Sequence, residues 1–353
     1  MNETIQQSVR SAAQLGRVLK ALSEKAPWPG FSIGLDEAEY QHAVNELQRA
    51  SLVNAWFTPD SIAKALGQWA ELMQEETLIA WLESEDARPM NSMRVGIIAA
   101  GNIPMVAWHD ILSAVLLQAH VTVKLSSDDP VLIPMIMNIW KKFDDAISFQ
   151  WLEGKLEKQD AVIATGSNNT SRYFDYYFRD TPHIIRKSRT SVAVLNGTES
   201  SEDLRALGHD VFDYFGMGCR SVSKIFMPID FEINRFIEAI FDFNPIVNHH
   251  KYANNYDYHK AVWLLNREEL LDNGFLMFKE CADLHAPTGS VFYSRYSSLE
   301  EVRDWLGENQ EQVQCVIGSD YLPFGSSQRP GLTDYADHVN VIQFLMESGR
   351  VVA

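Results

Sequence analysis

Residues 94–104 read RVGIIAAGNIP, and this stretch decides the fold class. The run from Arg94 to Ala100 is short and almost continuously apolar, which is typical of a parallel strand buried on both faces of a sheet. Gly101 and Pro104 then suit a sharp turn into a helix, because glycine tolerates a positive φ and proline can begin a helix. The stretch therefore predicts the strand, turn and helix start of a βαβ unit.

The alternation of strand and helix continues downstream. Such alternation indicates an α/β fold with a doubly wound parallel sheet. Ligands of such sheets bind beyond the carboxyl ends of the strands, so we expect functional residues in the turns that follow them. The predicted helices are Met105–Ala119 and Leu132–Phe143, and the further strands are His120–Leu125, Asp160–Ala164 and Ser191–Leu195.

The length of 353 residues favours more than one domain, since domains average roughly 150 residues. Helical spacing of apolar residues predicts N-terminal helices up to about residue 88. We expect these helices and a nucleotide-binding domain in residues 1–197, and a second α/β catalytic domain in residues 198–330. Residues 331–353 are expected to return to the first domain or to an oligomer interface.

Composition excludes several classes of protein. The net charge of −17 argues against a nucleic-acid binder, whose footprint is basic. The sequence predicts no targeting signal and no membrane span, because the longest apolar stretch is too short. Three widely spaced cysteines support neither a disulfide framework nor a zinc site, so a reducing cytoplasm is the expected location. His249 and His250 are adjacent without further ligand spacing, and no metal site is predicted.

The turns after the first two predicted strands carry polar side chains. Asn102 can be part of a tight turn, or its amide can donate to a developing oxyanion. Lys124 lies near the end of the second strand, and Ser126 follows it. A lysine there can simply reach solvent, or it can contact a nucleotide ribose or phosphate.

The third turn, Thr165-Gly166-Ser167, precedes another helix-like stretch. Its small residues can bring backbone N–H groups close to a diphosphate, or its hydroxyls can cap the helix. The sequence contains neither a G-x-G-x-x-G nor a P-loop motif after a predicted strand. The ordinary dehydrogenase and P-loop interpretations therefore lose most of their support.

The fourth turn places Cys219 beside Gly216 and Gly218. A cysteine is often only a small buried hydrophobe, but flanking glycines indicate a loop in which a thiolate can meet a substrate carbonyl. Arg220 and Lys224 follow closely, and either cation can lower the pKa of a nearby thiol. Cys281 and Cys315 lack such surroundings, so they are interpreted as structural.

In this order the four turns resemble the aldehyde dehydrogenase superfamily, most closely its acyl-CoA reductase branch, which includes the fatty acyl reductases of the bacterial luciferase pathway. The resemblance covers roughly residues 90–230 and implies the two-domain fold of that superfamily. Residues 323–327 also partly match its Pro-Phe-Gly-Gly stretch, which packs by the active site. By position, the resemblance implies an oxyanion donor at Asn102, ribose contacts at Lys124 and Ser126, phosphate contacts at Thr165, Gly166 and Ser167, and the nucleophile at Cys219.

One departure from the superfamily bears on the reaction. Hydrolytic members carry a glutamate between the Thr-Gly-Ser turn and the cysteine, where it activates water. This chain has no carboxylate between Asp180 and Glu199. Without that base a thioacyl enzyme should react slowly with water, which favours exchange with a thiol. The sequence therefore predicts thioester reduction over aldehyde oxidation.

A second departure bears on the cofactor. NAD-preferring members often carry a glutamate three residues after the lysine, and here that position is Ser127. NADPH is therefore expected, with NADH left open because Asp128 and Asp129 follow. The basic cluster of Arg186, Lys187 and Arg189 either faces phosphates or is a solvated connection.

The sequence thus predicts NAD(P)H-dependent reduction of an acyl-CoA, or another acyl thioester, to a fatty aldehyde through a thioacyl intermediate on Cys219. An acyl-phosphate reductase of the semialdehyde dehydrogenase type is the alternative within enzymes. A non-catalytic relative that binds nucleotide or acyl-CoA is the alternative outside them. Members of the superfamily are commonly dimers or tetramers, so a homo-oligomer is expected.

Overall fold

The computed structural model describes residues 2–166 and 168–352, and the chain divides into two compact units, Met1–Lys187 with Gly331–Ala353 and Ser188–Pro330. The helices are α1 (Glu3–Ser23), α2 (Glu37–Val53), α3 (Pro59–Leu72), α4 (Glu75–Ser84), α5 (Trp108–Leu116), α6 (Leu132–Phe143), α7 (Asn168–Tyr177), α8 (Ser201–Phe212), α9 (Asn234–Ala239), α10 (His250–Leu265), α11 (Leu299–Glu308) and α12 (Val341–Val352). The strands are β1 (Arg94–Ile98), β2 (His120–Lys124), β3 (Phe149–Trp151), β4 (Ala161–Thr165), β5 (His183–Arg186), β6 (Thr190–Val194), β7 (Val222–Pro228), β8 (Leu271–Asp272), β9 (Met277–Glu280), β10 (Ser290–Tyr296) and β11 (Val313–Ile317).

The first unit contains a five-stranded sheet in the order β3-β2-β1-β4-β5, with every pair parallel. The middle residues of β1, β2 and β4 are buried, which explains their nearly continuous apolar sequence. The chain runs from β1 to β2 in one direction and later from β4 to β5 in the other. The topological switch point therefore lies between β1 and β4, where ligands of such sheets bind. The predicted doubly wound α/β fold is confirmed.

The N-terminal helices belong to the first unit, and their presence is also confirmed. One face of α1 is buried, including Ile5, Val9 and Leu19. The Ser11 hydroxyl on the same helix accepts a hydrogen bond from the Trp140 indole of α6 at 2.9 Å. Burial of an apolar stripe, rather than helix propensity, therefore stabilises this layer.

The second unit contains a six-stranded sheet in the order β11-β6-β7-β10-β9-β8, and the short edge strand β8 is antiparallel to β9. Its core is apolar and aromatic, with Ile225, Phe236 and Phe278 almost fully buried. This unit begins at Ser188, whereas the sequence-based division began the second domain at residue 198. The physical reason is that β6 pairs with β7 and β11, and not with the first sheet.

Three general properties bear on function. Among the described residues, no helix combines the length and apolar character that crossing a bilayer requires. No group of three or more His, Cys, Asp or Glu side chains in residues 2–166 and 168–352 has a metal-binding arrangement. The three cysteines lie in partly buried positions outside any disulfide.

Candidate active site

The predicted site residues are distributed over both compact units. The turn containing Cys219 lies in the second unit, and Ser167 lies outside the described residues. The first unit carries Asn102, Lys124, Ser126, Thr165 and Gly166.

The turn that carries Asn102 follows β1 directly. The left-handed conformation in this turn falls on Met105, with φ 62°, and not on Gly101. Glycine is required at position 101 for a different reason: an added Cβ would lie 2.8 Å from the Ser126 side chain and 3.0 Å from the Asp129 nitrogen. The helix begins at Trp108 and not near Met105 as predicted, because the left-handed residue interrupts the helical backbone. The turn thus packs closely against the turn that follows β2.

The turn after β2 presents one cation to solvent. The Lys124 side chain is exposed, whereas Ser126 is half-buried and its hydroxyl accepts from the Asp128 N–H at 3.2 Å. Asp129 is buried and accepts from the Leu132 N–H at 3.0 Å, and burial raises its pKa to about 6. Of the two acidic residues that weigh against NADPH, only Asp128 therefore faces solvent.

The turn after β4 brings backbone close to α7. Thr165 ends β4 and is paired with Arg186 of β5, whose carbonyl accepts from the Gly166 N–H at 3.2 Å. A Cβ on Gly166 would lie 3.0 to 3.2 Å from side-chain atoms of Phe174 and Thr170 on α7. A glycine here therefore allows close packing of the strand end on the helix. α7 begins at Asn168, and the N-terminal end of a helix attracts anionic groups.

Arg186 of the basic cluster neither faces solvent nor points towards bound phosphates. It is 7% exposed, and its Nη2 lies 2.6 Å from Oδ1 of Asp110 in the first turn of α5. Right-handed connections in opposite directions place α5 and α7 on opposite faces of the sheet. Because the Arg186 side chain reaches α5, it lies on the face away from α7, so it is neither solvated nor directed at phosphates bound there.

The other two cations of this cluster differ from Arg186. Lys187 is exposed, so its contact with a phosphate stays a prediction. Arg189, in the second unit, donates from Nη1 to the carbonyl oxygens of Gln310 and Val313 at 3.3 and 3.4 Å. Those contacts anchor the chain that enters β6.

A left-handed backbone segment leads into the turn of Cys219. Tyr214, Phe215 and Gly216 have φ values of 53°, 59° and 72° in succession. Only glycine adopts this conformation without steric cost, so neighbouring contacts must hold the other two residues. The Tyr214 side chain is buried, and the Phe215 ring packs against the His249 ring with 4.3 Å between centroids and 34° between the ring planes. The segment reverses the chain sharply between α8 and β7.

Hydrogen bonds fix the backbone on both sides of Cys219. The Ser191 hydroxyl donates to the Cys219 carbonyl oxygen at 3.1 Å. The Gly218 N–H donates to the Ser221 hydroxyl at 3.2 Å, and the Ser221 N–H donates back to the Gly218 carbonyl at 3.0 Å. Cys219 itself is only partly buried. The turn thus holds a partly exposed cysteine on a fixed backbone, which suits a nucleophile.

Lys224 has a structural role, contrary to the hypothesis that it activates the thiol. It is 1% exposed, and its ammonium donates to the Cys281 carbonyl at 2.6 Å and the Ser294 hydroxyl at 2.8 Å. The Asp283 carbonyl accepts a further bond at 3.2 Å. Burial lowers the pKa of Lys224 to about 8. These acceptors engage the ammonium, and they join β7 to β10 and the segment after β9.

Sequence reasoning missed the residue that holds residues 323–327. Asp210 on α8 is fully buried, and its carboxylate accepts from the N–H groups of Gly325 and Ser327 at 2.6 and 2.8 Å. Burial raises the pKa of the Asp210 carboxyl above its ordinary value. The only sequence signal is a carboxylate in the apolar part of α8, between Leu207 and Val211.

The same segment reaches the turn of Cys219. The Gln328 amide donates to the Ser221 hydroxyl at 3.1 Å, and both side chains are buried. Ser221 in turn accepts the Gly218 N–H, as described above. The partial Pro-Phe-Gly-Gly match is therefore followed directly by a residue that contacts the turn of the candidate nucleophile.

Comparisons with known proteins agree with this arrangement. The family model described as "Acyl-CoA reductase (LuxC)" matches residues 35–238, which is more than half of the chain. No curated protein matches the chain. Among solved structures, aldehyde dehydrogenase 21 from Physcomitrella patens, in complex with the product succinate, is 11% identical, with a TM-score of 0.58 over 90% of this chain and 77% of that one.

Two further structures contain a nucleotide. The NAD+ complex of an aldehyde dehydrogenase from Bacillus cereus is 12% identical, with a TM-score of 0.57 over 89% of this chain and 75% of that one. A mutant of the indole-3-acetaldehyde dehydrogenase AldA of P. syringae, in complex with NAD+ and IAA, is 13% identical, with a TM-score of 0.56 over 84% of this chain and 69% of that one. At these identities the likeness shows the fold alone, and that fold is the one of aldehyde dehydrogenases.

Proposed function

The chain belongs to the acyl-CoA reductase (LuxC) family, and on this basis we propose that it reduces an acyl thioester to an aldehyde through a thioacyl intermediate on Cys219. Membership makes the chain an oxidoreductase that acts on acyl groups. The observation that supports the thioacyl mechanism is the turn of Cys219, where hydrogen bonds fix the backbone around a partly exposed cysteine.

In the proposed reaction the Cys219 thiolate attacks the thioester carbonyl carbon. A new carbon–sulfur bond forms, and the carbonyl oxygen becomes an oxyanion that the Asn102 amide and the Cys219 N–H stabilise. The oxyanion collapses, the carbon–sulfur bond to coenzyme A or another carrier thiol breaks, and that thiol takes up a proton as it leaves. An acyl group then remains on Cys219, and the later release of aldehyde returns the cysteine as a thiolate.

The first unit fits a nicotinamide dinucleotide. The Lys124 cation is exposed at the end of β2, and Gly166 leaves no side chain between the end of β4 and α7. Both turns lie at the carboxyl edge of the sheet, beside the switch point. When bound in its reduced form, the dinucleotide supplies the hydride that reduces the thioacyl group.

The proposed enzyme releases its acyl group by reduction or to a thiol, and not to water. Glu199 is the first carboxylate after Asp180 in the sequence. It is 3% exposed and accepts from the Gly197 N–H at 3.0 Å, so it is committed to the turn after β6. A carboxylate held in this way is a poor general base for water.

We propose NADPH as the preferred form of the cofactor. Ser127 is exposed beside the end of β2, and the neighbouring Asp129 faces inward to α6. In the variant Ser127→Glu, a carboxylate would repel a 2′-phosphate, and the ratio of kcat/KM for NADPH over NADH should fall by about tenfold or more. Ser127→Gln, which has the same shape without the charge, should leave the ratio within about twofold. Equal ratios in all three proteins would exclude Ser127 from the 2′-phosphate site.

The substrate class is tested by offering the protein acyl-CoAs of increasing length and acyl phosphates, with NADPH oxidation as the readout. We expect turnover with acyl-CoA, no turnover in Cys219→Ala, and dinucleotide binding within about threefold of wild type in that variant. Turnover of acyl phosphates alone would replace the proposal with a semialdehyde-type reductase. A Cys219 thiol no more reactive towards iodoacetamide than Cys281, together with no turnover, would indicate a non-catalytic relative.

We propose a homo-oligomer that works in the cytoplasm. The absence of disulfides among the three cysteines suits a reducing compartment, and sedimentation of the purified protein tests the oligomeric part.

A further inference from the structure

We infer that Arg186, through its ion pair with Asp110, is a positioning residue for the amide of Asn102. The inference rests on the proposed function, in which that amide stabilises the oxyanion. All three residues lie in the first unit, and Asp110 follows Asn102 by eight residues in the sequence.

The ion pair is buried and incompletely hydrogen-bonded. Arg186 is 7% exposed and Asp110 is 3% exposed, with 2.6 Å between Nη2 and Oδ1. The Nε–H of Arg186 has no hydrogen-bond partner among the described residues. Burying a charged pair rarely adds stability compared with apolar side chains, and an unpaired N–H makes the balance less favourable. A contribution to the stability of the fold therefore does not explain why this ion pair is present.

The position of the pair suggests what it holds. Arg186 ends β5, and Asp110 lies in the first turn of α5, which the chain enters from β1. In the sheet β4 lies between β1 and β5. The pair thus fastens the start of α5 at the carboxyl edge of the sheet, at the switch point between β1 and β4.

The turn of Asn102 needs fastening at both ends. At its beginning, Gly101 packs against Ser126 and the Asp129 backbone, with no room for a Cβ. Towards its end, Met105 is held with φ 62°, a conformation that persists only where surrounding contacts impose it. The Trp108 N–H donates to the Met105 carbonyl at 3.0 Å, so the strained residue is joined directly to the first turn of α5. The ion pair fixes that first turn.

A double-mutant cycle of Asn102→Ala and Arg186→Met tests the inference. We expect Asn102→Ala to lower kcat roughly 10²–10³-fold, as loss of an oxyanion donor does. Arg186→Met should lower kcat roughly 10- to 100-fold through misplacement of that donor, with the KM for NADPH little changed. In the Asn102→Ala background, Arg186→Met should lower kcat by less than about twofold further. The full loss in both backgrounds would overturn the inference.

Arg94→Met is the matched control, because Arg94 pairs with Asp160 at 3.2 Å at the opposite end of the same sheet. It should leave kcat within about twofold of wild type. Arg186→Lys keeps a cation beside Asp110 and should retain more kcat than Arg186→Met, and it carries the same cycle if the methionine variant does not fold. If Asn102→Ala keeps the wild-type kcat, the proposed oxyanion role of Asn102 is wrong. If both variants lower kcat and their losses add, only the positioning role of Arg186 is wrong.

Discussion

The hydroxyl of Ser191 donates a hydrogen bond to the carbonyl oxygen of Cys219 at 3.1 Å. The same hydroxyl accepts the Cys315 N–H at 3.2 Å and lies 3.0 Å from the Cys315 sulfur. Ser191 therefore joins the turn of the candidate nucleophile to β6 and β11 of the second sheet. Sites built on regular elements are held more precisely than sites on loops, so these contacts give the backbone of Cys219 a fixed support.

Removing the Ser191 hydroxyl should reduce catalysis through Cys219. Ser191→Ala deletes one hydrogen bond to the turn, which costs about 1 kcal/mol, and we expect kcat/KM to fall about fivefold. The control is Ser223→Ala, since the Ser223 hydroxyl donates to the Leu284 carbonyl at 2.8 Å on the neighbouring strand β7. It should lose similar stability and retain kcat/KM. An equal loss in both variants would show that Ser191 acts only through stability.

Asp210 should stabilise the second unit more than an exposed carboxylate of the same helix. Asp210→Ala leaves the buried Ser327 N–H and the half-buried Gly325 N–H without their acceptor, at a cost of about 1–3 kcal/mol for a buried group, so the free energy of unfolding should fall by about 2–4 kcal/mol. Asp203→Ala, which removes an exposed carboxylate from the capping box of α8, should cost about 1 kcal/mol or less. Urea unfolding measures both. Equal losses would mean that Asp210 does not anchor residues 325–327.

Lys224 should make stability depend on pH in a defined direction. Its pKa is lowered to about 8 from an ordinary 10.5, so between these values the unfolded chain binds more protons at Lys224 than the folded chain. Raising the pH through this range therefore favours the folded state. The free energy of unfolding of wild type minus that of Lys224→Met should rise from pH 8 to pH 10.

Lys260→Met provides the control for that measurement. Hydrogen bonds to Asp272 and Tyr256 raise the pKa of Lys260, which is the opposite direction. The corresponding difference in unfolding free energy should therefore not rise between pH 8 and pH 10. A flat difference for Lys224→Met as well would contradict the lowered pKa of Lys224.

Much of the first sheet could be predicted because its strands are buried on both faces, and such strands have nearly continuous apolar sequences. The apolar runs of β1, β2 and β4 and the bounds of α6 follow from local pattern alone. Local pattern does not reveal pairing partners, so it groups β6 with the first sheet, whereas β6 pairs with β7 and β11. Local pattern also predicts the start of α5 too early, because a methionine in the sequence gives no sign that its φ is positive.

The candidate site shows the same limit. The glycines beside Cys219 indicate an irregular turn, so the sequence alone identifies this cysteine as a candidate nucleophile. The partners of Arg186 and Lys224 lie 76 and 57 or more residues away along the chain. A charged residue is buried only where such partners exist, and spacing along the sequence cannot show them. The sequence therefore predicts contacts with solvent, phosphates or the thiol for these two residues, whereas both make structural contacts.

The most direct measurement is mass spectrometry of the enzyme after incubation with a long-chain acyl-CoA and no nicotinamide cofactor. We expect one acyl group on the peptide that contains Cys219, lost as aldehyde on addition of NADPH and absent in Cys219→Ala. Persistent reductase activity in Cys219→Ala, or an acyl group found only on Cys281 or Cys315, would contradict a thioacyl intermediate on Cys219.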